Sequence, residues 1–366
     1  MDKSIDNTLV ISSSPHVSAN NTTRKIMLDV IIALLPSIVA STVIFGYMAL
    51  INCIVCALSC FVFELLYEVI FNKKKASQTT AKDLSCVVTG IIFALNLPTY
   101  ISVWGWNIKS GDVVVFSFDT ILICILGSLF AIAIVKMLFG GIGKNFANPA
   151  MAARVFLFLA FSTSFATVFS TDTWGKTITT GATWLTDDSI NLNGKVLLDF
   201  FIGKRGSAAV GETCIVAILL GYIYLSIKKI IDWRLPLIIV GSLAVFVLLF
   251  DGILDKKLSG AMLIKNTLAH ILNGGIIFAA VFMATDYSTS PNTFFGGVIF
   301  GIGIALITSL IRVYGSYPEG ISFAILIMNI ATPLIDKYIV PHPFGYVKPS
   351  KNKTKSSGET KKAEVK

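Results

Sequence analysis

Apolar residues in this chain come in blocks of about twenty, separated by short polar segments. A block of that length can cross a hydrocarbon core of ~30 Å as a helix. Ten such spans can be drawn, at about 26–46, 49–71, 84–97, 113–135, 151–170, 213–227, 235–250, 266–284, 294–312 and 321–340. The third is short and stops at Asn96-Leu97-Pro98. The eighth carries His270 and Asn273 and runs into Thr285-Asp286-Tyr287-Ser288-Thr289-Ser290-Pro291. Short or interrupted spans at matching places in two halves predict an inverted repeat. A pentapeptide points the same way: Gly90-Ile91-Ile92-Phe93-Ala94 in span three recurs as Gly275-Ile276-Ile277-Phe278-Ala279 in span eight. The expected architecture is an all-α polytopic membrane protein, with about ten transmembrane helices in two inverted five-helix repeats.

Composition agrees. Hydrophobic residues make up 54% of the chain and charged ones only 14%, against ~25% charged in soluble domains; the mean hydropathy is +0.77. The first 25 residues are polar, with Asp2, Asp6 and a Ser/Asn/Thr run. The first apolar block therefore reads as a retained helix, not a cleaved signal. Three regions follow: an N-terminal tail over 1–25, a membrane domain over 26–341, and a basic tail over 342–366. Lys348 to Lys366 is too polar to bury a core and is expected to be disordered and solvated near anionic headgroups.

The distribution of Lys and Arg sets the orientation. With both termini in the cytoplasm, 21 of the 30 basic residues fall inside and 9 outside; the reverse topology inverts that ratio. The protein is expected in the cytoplasmic membrane, with the loop 171–212 outside. Four of the five Trp residues (Trp104, Trp106, Trp174 and Trp184) fall on the same outer side, as interfacial anchors do. The basic excess is a topology signal and gives no reason to expect nucleic-acid binding.

Few residues carry recognisable chemistry. Cys53, Cys56 and Cys60 share a helical face at i, i+3 and i+7, but no Cys-x-x-Cys or His lies nearby, so they read as small apolar core residues. Gly140-Gly141-Ile142-Gly143-Lys144-Asn145 looks like a phosphate cradle yet lacks the Ser/Thr and the preceding strand of a P-loop. His16, His270 and His342 are too scattered to suggest a metal site. Glu64 and Glu68, one turn apart near Lys73–Lys75, read as an interfacial pair. Asp119 and Asp286 are acids within or at the edge of apolar spans, where such groups line ion paths or pair. They are the candidates for ion coupling.

Thr180-Gly181-Ala182-Thr183 stands apart. A hydroxyl flanked by Gly and Ala has almost no steric cover, and Gly181 lets another protein bend the loop toward the Thr183 oxygen. That suits a threonine that is modified. Trp184, beside it, offers a ring that can stack on an aromatic ligand.

Further motifs are spread along the chain: Ser13-Ser14-Pro15-His16, Lys25-Ile26-Met27, Asn148-Pro149-Ala150-Met151-Ala152-Ala153-Arg154, Gly211-Glu212-Thr213, Ala284-Thr285-Asp286-Tyr287 through Ser290-Pro291, and Tyr317-Pro318-Glu319-Gly320. With Thr180–Thr183 and the ten spans, the pattern resembles the RnfD/NqrB family. That family comprises the RnfD proteins of the Rnf electron-transport complex and their close relatives, the NqrB proteins of the Na⁺-translocating NADH:quinone reductase. The short N-terminal tail favours the Rnf member. The resemblance implies a fold like that of urea and ammonium channels, and FMN joined through a phosphoester to Thr183. A non-covalent riboflavin is a further implied cofactor. Implied partners are the other Rnf subunits (A, B, C, E and G) and a flavin transferase, and the implied role is electron transfer between ferredoxin and NAD⁺ coupled to Na⁺ or H⁺ movement. The family often has Asp six residues before the modified Thr; this chain has Thr177 there. A channel or solute transporter with no redox role is the alternative from a different class, and such a protein has no need of the Thr180–Thr183 loop.

Overall fold

A segment in hydrocarbon must satisfy its backbone internally, so apolar blocks of this length fold as helices. The computed structural model describes residues 22–340 apart from 74, 76–77, 111–112, 167–168, 174–175, 181–193, 204–208, 255–259 and 316–319. Six helices are long and apolar enough to cross a membrane. They are α1 (Thr23–Phe45), α2 (Tyr47–Ile70), α4 (Phe118–Met137), α9 (Arg234–Leu254), α12 (Phe294–Tyr314) and α13 (Ile321–Tyr338). Three apolar helices are shorter: α3 (Ser85–Leu95), α5 (Pro149–Ala160) and α8 (Ile215–Ile227). At 11 to 13 residues they are about 16–20 Å long. Span eight is broken into α10 (Ala261–Leu272) and α11 (Ile276–Phe282), bent by 46°. The described residues thus hold an all-α membrane bundle. Each of the ten predicted spans contains a helix, but only six reach crossing length, or seven with the bent pair counted as one.

Local sequence explains the ends. Thr22 caps α1 by accepting from Lys25 N, Thr293 caps α12, and Asn148 caps α5, whose first residue, Pro149, has no N–H to lose. Leu35, Val39 and Val43 on α1, with Ile54, Leu58 and Val62 on α2, form outward stripes at four-residue spacing, as lipid-facing surfaces do. In α4 and α9 the ladder widens to π geometry over Phe130–Met137 and Leu248–Leu254.

Hydrogen bonds define two faces. Near the termini, Tyr224 donates to Asp29, Tyr222 to the Trp233 carbonyl, Tyr287 to the Ile230 carbonyl, Asn145 to Ser288, and Asn292 to Asp336. On the opposite face, Asn52 near the start of α2 donates to the Thr99 carbonyl. That face also carries two antiparallel hairpins, β1 (Asn107–Ser110) with β2 (Val113–Ser117) and β3 (Phe169–Thr173) with β4 (Lys176–Thr180). Two short helices, α6 (Ser162–Ala166) and α7 (Gly194–Ile202), flank the second hairpin in sequence.

The repeated pentapeptide does two different jobs. Gly90 lies inside α3, where a Cβ would sit 2.7 Å from the Ala57 Cα, so glycine sets the close approach of α3 to α2. Gly275 precedes α11 in the left-handed region, at φ 68°. The two copies of the pentapeptide thus start in different local settings, one inside a helix and one just before it. The first and sixth spans do meet: Gly221 of α8 lies against the Ala33 carbonyl of α1.

Candidate functional site

The break between α10 and α11 is the centre of a buried polar network. Gly274 and Gly275 both take positive φ, at 69° and 68°, which only glycine adopts cheaply. The chain turns there, and the last carbonyls of α10 lose their helical partners. Arg312 of α12 donates to the carbonyls of His270 (2.6 Å) and Gly274 (2.8 Å), and more distantly to that of Asn273 (3.4 Å). On the other side of the break a Cβ at Gly275 would fall on the Glu212 carboxylate. A cation at the carbonyl end and an anion at the amide end complement both helix dipoles.

Glu212 is held in turn by Arg154 of α5, which donates to Glu212 Oε1 at 3.1 Å and to Asn96 Oδ1 at 2.9 Å. Asn96, the C-cap of α3, reaches Met283 Sδ at the end of α11, and Asn148 donates to the Met283 carbonyl. Arg154 and Glu212 are each 5% exposed. The ends of α3 and α11, the first half of α5 and the segment before α8 thus converge on one ion pair. Asn148, Arg154 and Glu212 are visible in the sequence as motif residues, but their meeting is a product of the fold.

A second buried pair lies toward the termini face. Lys136, in the π segment of α4, donates to Glu64 Oε2 (2.5 Å) and to Ser85 Oγ (2.7 Å). Thr80 donates its hydroxyl to Glu64 and its N–H to Glu68. Glu64 and Glu68 are fully buried and tied to Lys136 and Thr80, which corrects the reading of them as an interfacial pair beside Lys73–Lys75. A lone Lys in the run Phe130–Met137 is the available sign that span four carries an inward charge.

Between this pair and the turn after α11 lies a cavity of about 100 Å³, lined among others by Ser85, Thr89, Lys136, Asn145, Asn148 and Asp286. Asp286 Oδ2 accepts the hydroxyls of Ser288 (2.9 Å) and Thr289 (3.2 Å). Burial pushes its carboxyl above the usual range, while those two hydroxyls and Lys136 act the other way.

Asp119 sits elsewhere, in the first turn of α4. Its Oδ2 accepts three backbone N–H groups, from Val103 (2.9 Å), Trp104 (3.0 Å) and Gly105 (2.9 Å). The turn so fixed carries exposed Trp104 and Trp106. The structure therefore does not bring the two ion-coupling candidates together. Gly181, Ala182, Thr183 and Trp184 lie outside the described residues, as does the Tyr317-Pro318-Glu319 motif; Thr180 is the last residue of β4. Cys53, Cys56 and Cys60 are buried in the core along α2.

Residues 10–117 and 117–345 match the NQR2, RnfD, RnfE family. The chain is 39% identical over 346 residues to the D subunit of the Na(+)-translocating ferredoxin:NAD(+) oxidoreductase complex of Acetobacterium woodii, covering 93% of this chain and 96% of that one. It is 33% identical over 349 residues to the D subunit of the proton-translocating ferredoxin:NAD(+) oxidoreductase complex of Clostridium ljungdahlii, with 93% and 97% covered. To the D subunit of the ion-translocating oxidoreductase complex of Cellvibrio japonicus it is 32% identical over 369 residues, with 92% and 95% covered. These matches run through the helices that build the Arg154–Glu212 node and the Asp286 turn, and with them this chain belongs to the NQR2, RnfD, RnfE family.

Proposed function

We propose that this protein is a membrane subunit of an Rnf-type ferredoxin:NAD⁺ oxidoreductase, relaying electrons through FMN joined by its phosphate to Thr183 and coupling that transfer to Na⁺ or H⁺ movement. The observation that carries this reading is full-length similarity to D subunits of ion-translocating oxidoreductase complexes in a chain with Thr180-Gly181-Ala182-Thr183 intact. The hairpin supports it. Phe169 pairs with Thr180, so β4 ends beside the start of β3, on the face opposite the termini. With the termini in the cytoplasm, as the basic residues favour, Thr180 at the end of β4 is on the outer side.

Bound there, FMN would accept and release electrons with its ring system unaltered, because attachment is through the phosphate. The chain's own contribution is position: Thr183 is a tether and Trp184 a neighbouring aromatic surface. Of the two acids, Asp286 is the one that lines a cavity, so it carries the ion-coupling role; Asp119 organises the turn at 103–105. The remaining Rnf subunits supply the donor and acceptor sites, and a flavin transferase installs the cofactor.

Flavin fluorescence of the denatured protein band tests the attachment. Co-expression with a flavin transferase gives a fluorescent band for the wild type and for Thr180→Ala, and a dark one for Thr183→Ala. A dark wild-type band removes the redox reading. In proteoliposomes holding the whole complex, uptake of ²²Na⁺ that survives a protonophore identifies sodium; uptake of protons that the protonophore abolishes, in sodium-free buffer, identifies the proton.

A further inference from the structure

We infer that the cleft between the starts of α9 and α12, on the termini face, binds an anionic phospholipid with a glycerol headgroup. Its phosphate lies on Arg234 and one acyl chain runs down the outer face of α9 past Gly241. The site is separate from the redox reading above and does not rest on it.

A cavity of about 220 Å³ opens at this cleft, lined among others by Asp232, Leu235, Ile238, Thr293, Phe294 and Gly297. Arg234, the first residue of α9, lies over the Phe294 ring (5.2 Å to its centroid) and the Trp233 ring (5.5 Å). The rings hold the guanidinium through their faces and leave its N–H fork unused. Among the described residues no carboxylate pairs with that side chain. A free planar fork of this kind suits phosphate oxygens. The backbone at the start of α9 adds no donor: Asp232 takes the N–H of Arg234 on Oδ1 and that of Leu235 on its carbonyl, and Pro236 has none. Thr293 Oγ1 accepts from Gly296 N, so its hydroxyl hydrogen is left for a headgroup.

Charge favours an anion with a single charge. Lys228 faces Asp29 at 3.9 Å. Lys229 and Arg234 against Asp232 then leave the turn before α9 with one positive charge, which one phosphodiester balances. Asp232, exposed on the rim, offers acceptors to the hydroxyls of a glycerol headgroup.

The apolar part fits an acyl chain. Ile238, Gly241 and Val245 follow Arg234 on one face of α9, at i+4, i+7 and i+11. Glycine in a membrane helix ordinarily serves close packing, as Gly301 does, where a Cβ would stand 3.1 Å from Ile238. Gly241 is exposed, and a Cβ there would meet nothing within 4 Å, so its notch opens outward. Arg234 to Val245 spans about 16 Å along the axis, about half of a hydrocarbon core and so the depth of one leaflet. Trp233, Phe294 and Phe295 are exposed around Arg234, at the level where interfacial aromatics and headgroups meet.

The test is native mass spectrometry of the full-length chain in mild detergent, titrated with dioleoyl phosphatidylglycerol and, separately, dioleoyl phosphatidylethanolamine. The first phosphatidylglycerol is expected to bind at least tenfold more tightly than the first phosphatidylethanolamine. Arg234→Gln should bring that ratio close to one, and Gly241→Leu should weaken the first phosphatidylglycerol severalfold with the charge intact. Equal affinity for the two lipids in the wild type overturns the site, as does a preference that survives Arg234→Gln. Should Arg234→Gln fail to fold, Gly241→Leu decides, and unchanged affinity in it overturns the assignment. Displacement of the lipid by millimolar inorganic phosphate would make this a site for soluble phosphate and overturn the lipid. A preference present in the isolated chain and lost in the whole complex would mean that a partner subunit covers this face, and overturns it equally.

Discussion

Arg154 and Glu212 form a buried ion pair, at 3.1 Å, that joins α5 to the segment in front of α8. Both charges are withdrawn from water and lipid, so each depends on the other, and Arg154 also on Asn96. Removing one partner leaves an uncompensated charge, a loss of about 3–5 kcal/mol in buried pairs. Arg154→Met and Glu212→Met are each expected to lower the thermal midpoint of the detergent-solubilised protein strongly. The double variant should recover a large part, because two apolar side chains leave no orphan charge. Additive losses in the double variant would show that the two residues do not act as a pair.

Gly275 faces two penalties if it gains a side chain. Its φ of 68° costs an L-residue about 1–2 kcal/mol, and its Cβ would collide with the Glu212 carboxylate. Gly275→Ala is therefore expected to reduce folded yield in membranes. Adding Glu212→Gly removes the collision but not the backbone cost, and it breaks the ion pair with Arg154, so no full rescue is expected. A Gly275→Ala protein as stable as the wild type would contradict the fixed break between α10 and α11.

Asp119→Asn removes charge from an oxygen that gathers three N–H groups. Charge-assisted bonds of this kind contribute about 1.5–3 kcal/mol each at most. Amide exchange at Val103, Trp104 and Gly105 should rise by at least tenfold, with a shift in tryptophan emission from Trp104 and Trp106. Cation transport by the assembled complex should stay at the wild-type level, since Asp119 does not line the cavity. Lost transport with unchanged exchange would reverse the roles given to Asp119 and Asp286.

The hairpin register sets Asp172 opposite Thr177. Asp172 is thus the cross-strand partner of the position at which the family often carries an acid, with about 5 Å between the two Cα atoms of such a pair. Flavin loading of Thr183 should fall in Asp172→Asn and return when Thr177→Asp is added. Loading that ignores both changes would mean the transferase reads only Thr180–Thr183.

Much of the bundle is legible from hydropathy, because lipid demands apolar surface wherever a helix meets it. What hydropathy misses is length. The span drawn at 151–170 holds α5, which stops at Ala160, since a run of apolar residues does not reveal where its backbone stops being helical, whereas the short spans of α3 and α8 match their helices to within two residues. Asn96 and Pro98 do signal the end of α3. Asn273, Gly274 and Gly275 likewise signal the break after Leu272. The site is legible in pieces: Asn148, Arg154, Glu212 and Asp286 all lie in recognisable motifs, and their roles need the fold. Glu64 and Lys136 are 72 residues apart, and no local rule pairs them. Lys73–Lys75 are nearer in sequence and so look like the natural partners.

The π stretch at the end of α4 has a consequence for the length of that helix. Widening the ladder from i→i+4 to i→i+5 accommodates the equivalent of one additional residue without lengthening the cylinder. Phe130–Met137 thus works like a frameshift: everything after it is turned relative to the face set by Ile123 and Cys124, and Lys136 comes round to the interior. Deleting a single residue there would let the helix relax to ordinary winding with the ammonium still facing inward, whereas ordinary winding with the residue kept would swing it by about 100°, one residue's rotation. The position of a positive charge deep in this bundle therefore depends on how the residues before it are wound, and a one-residue deletion inside the π stretch should be better tolerated than one in the α-helical part of α4, where nothing absorbs it.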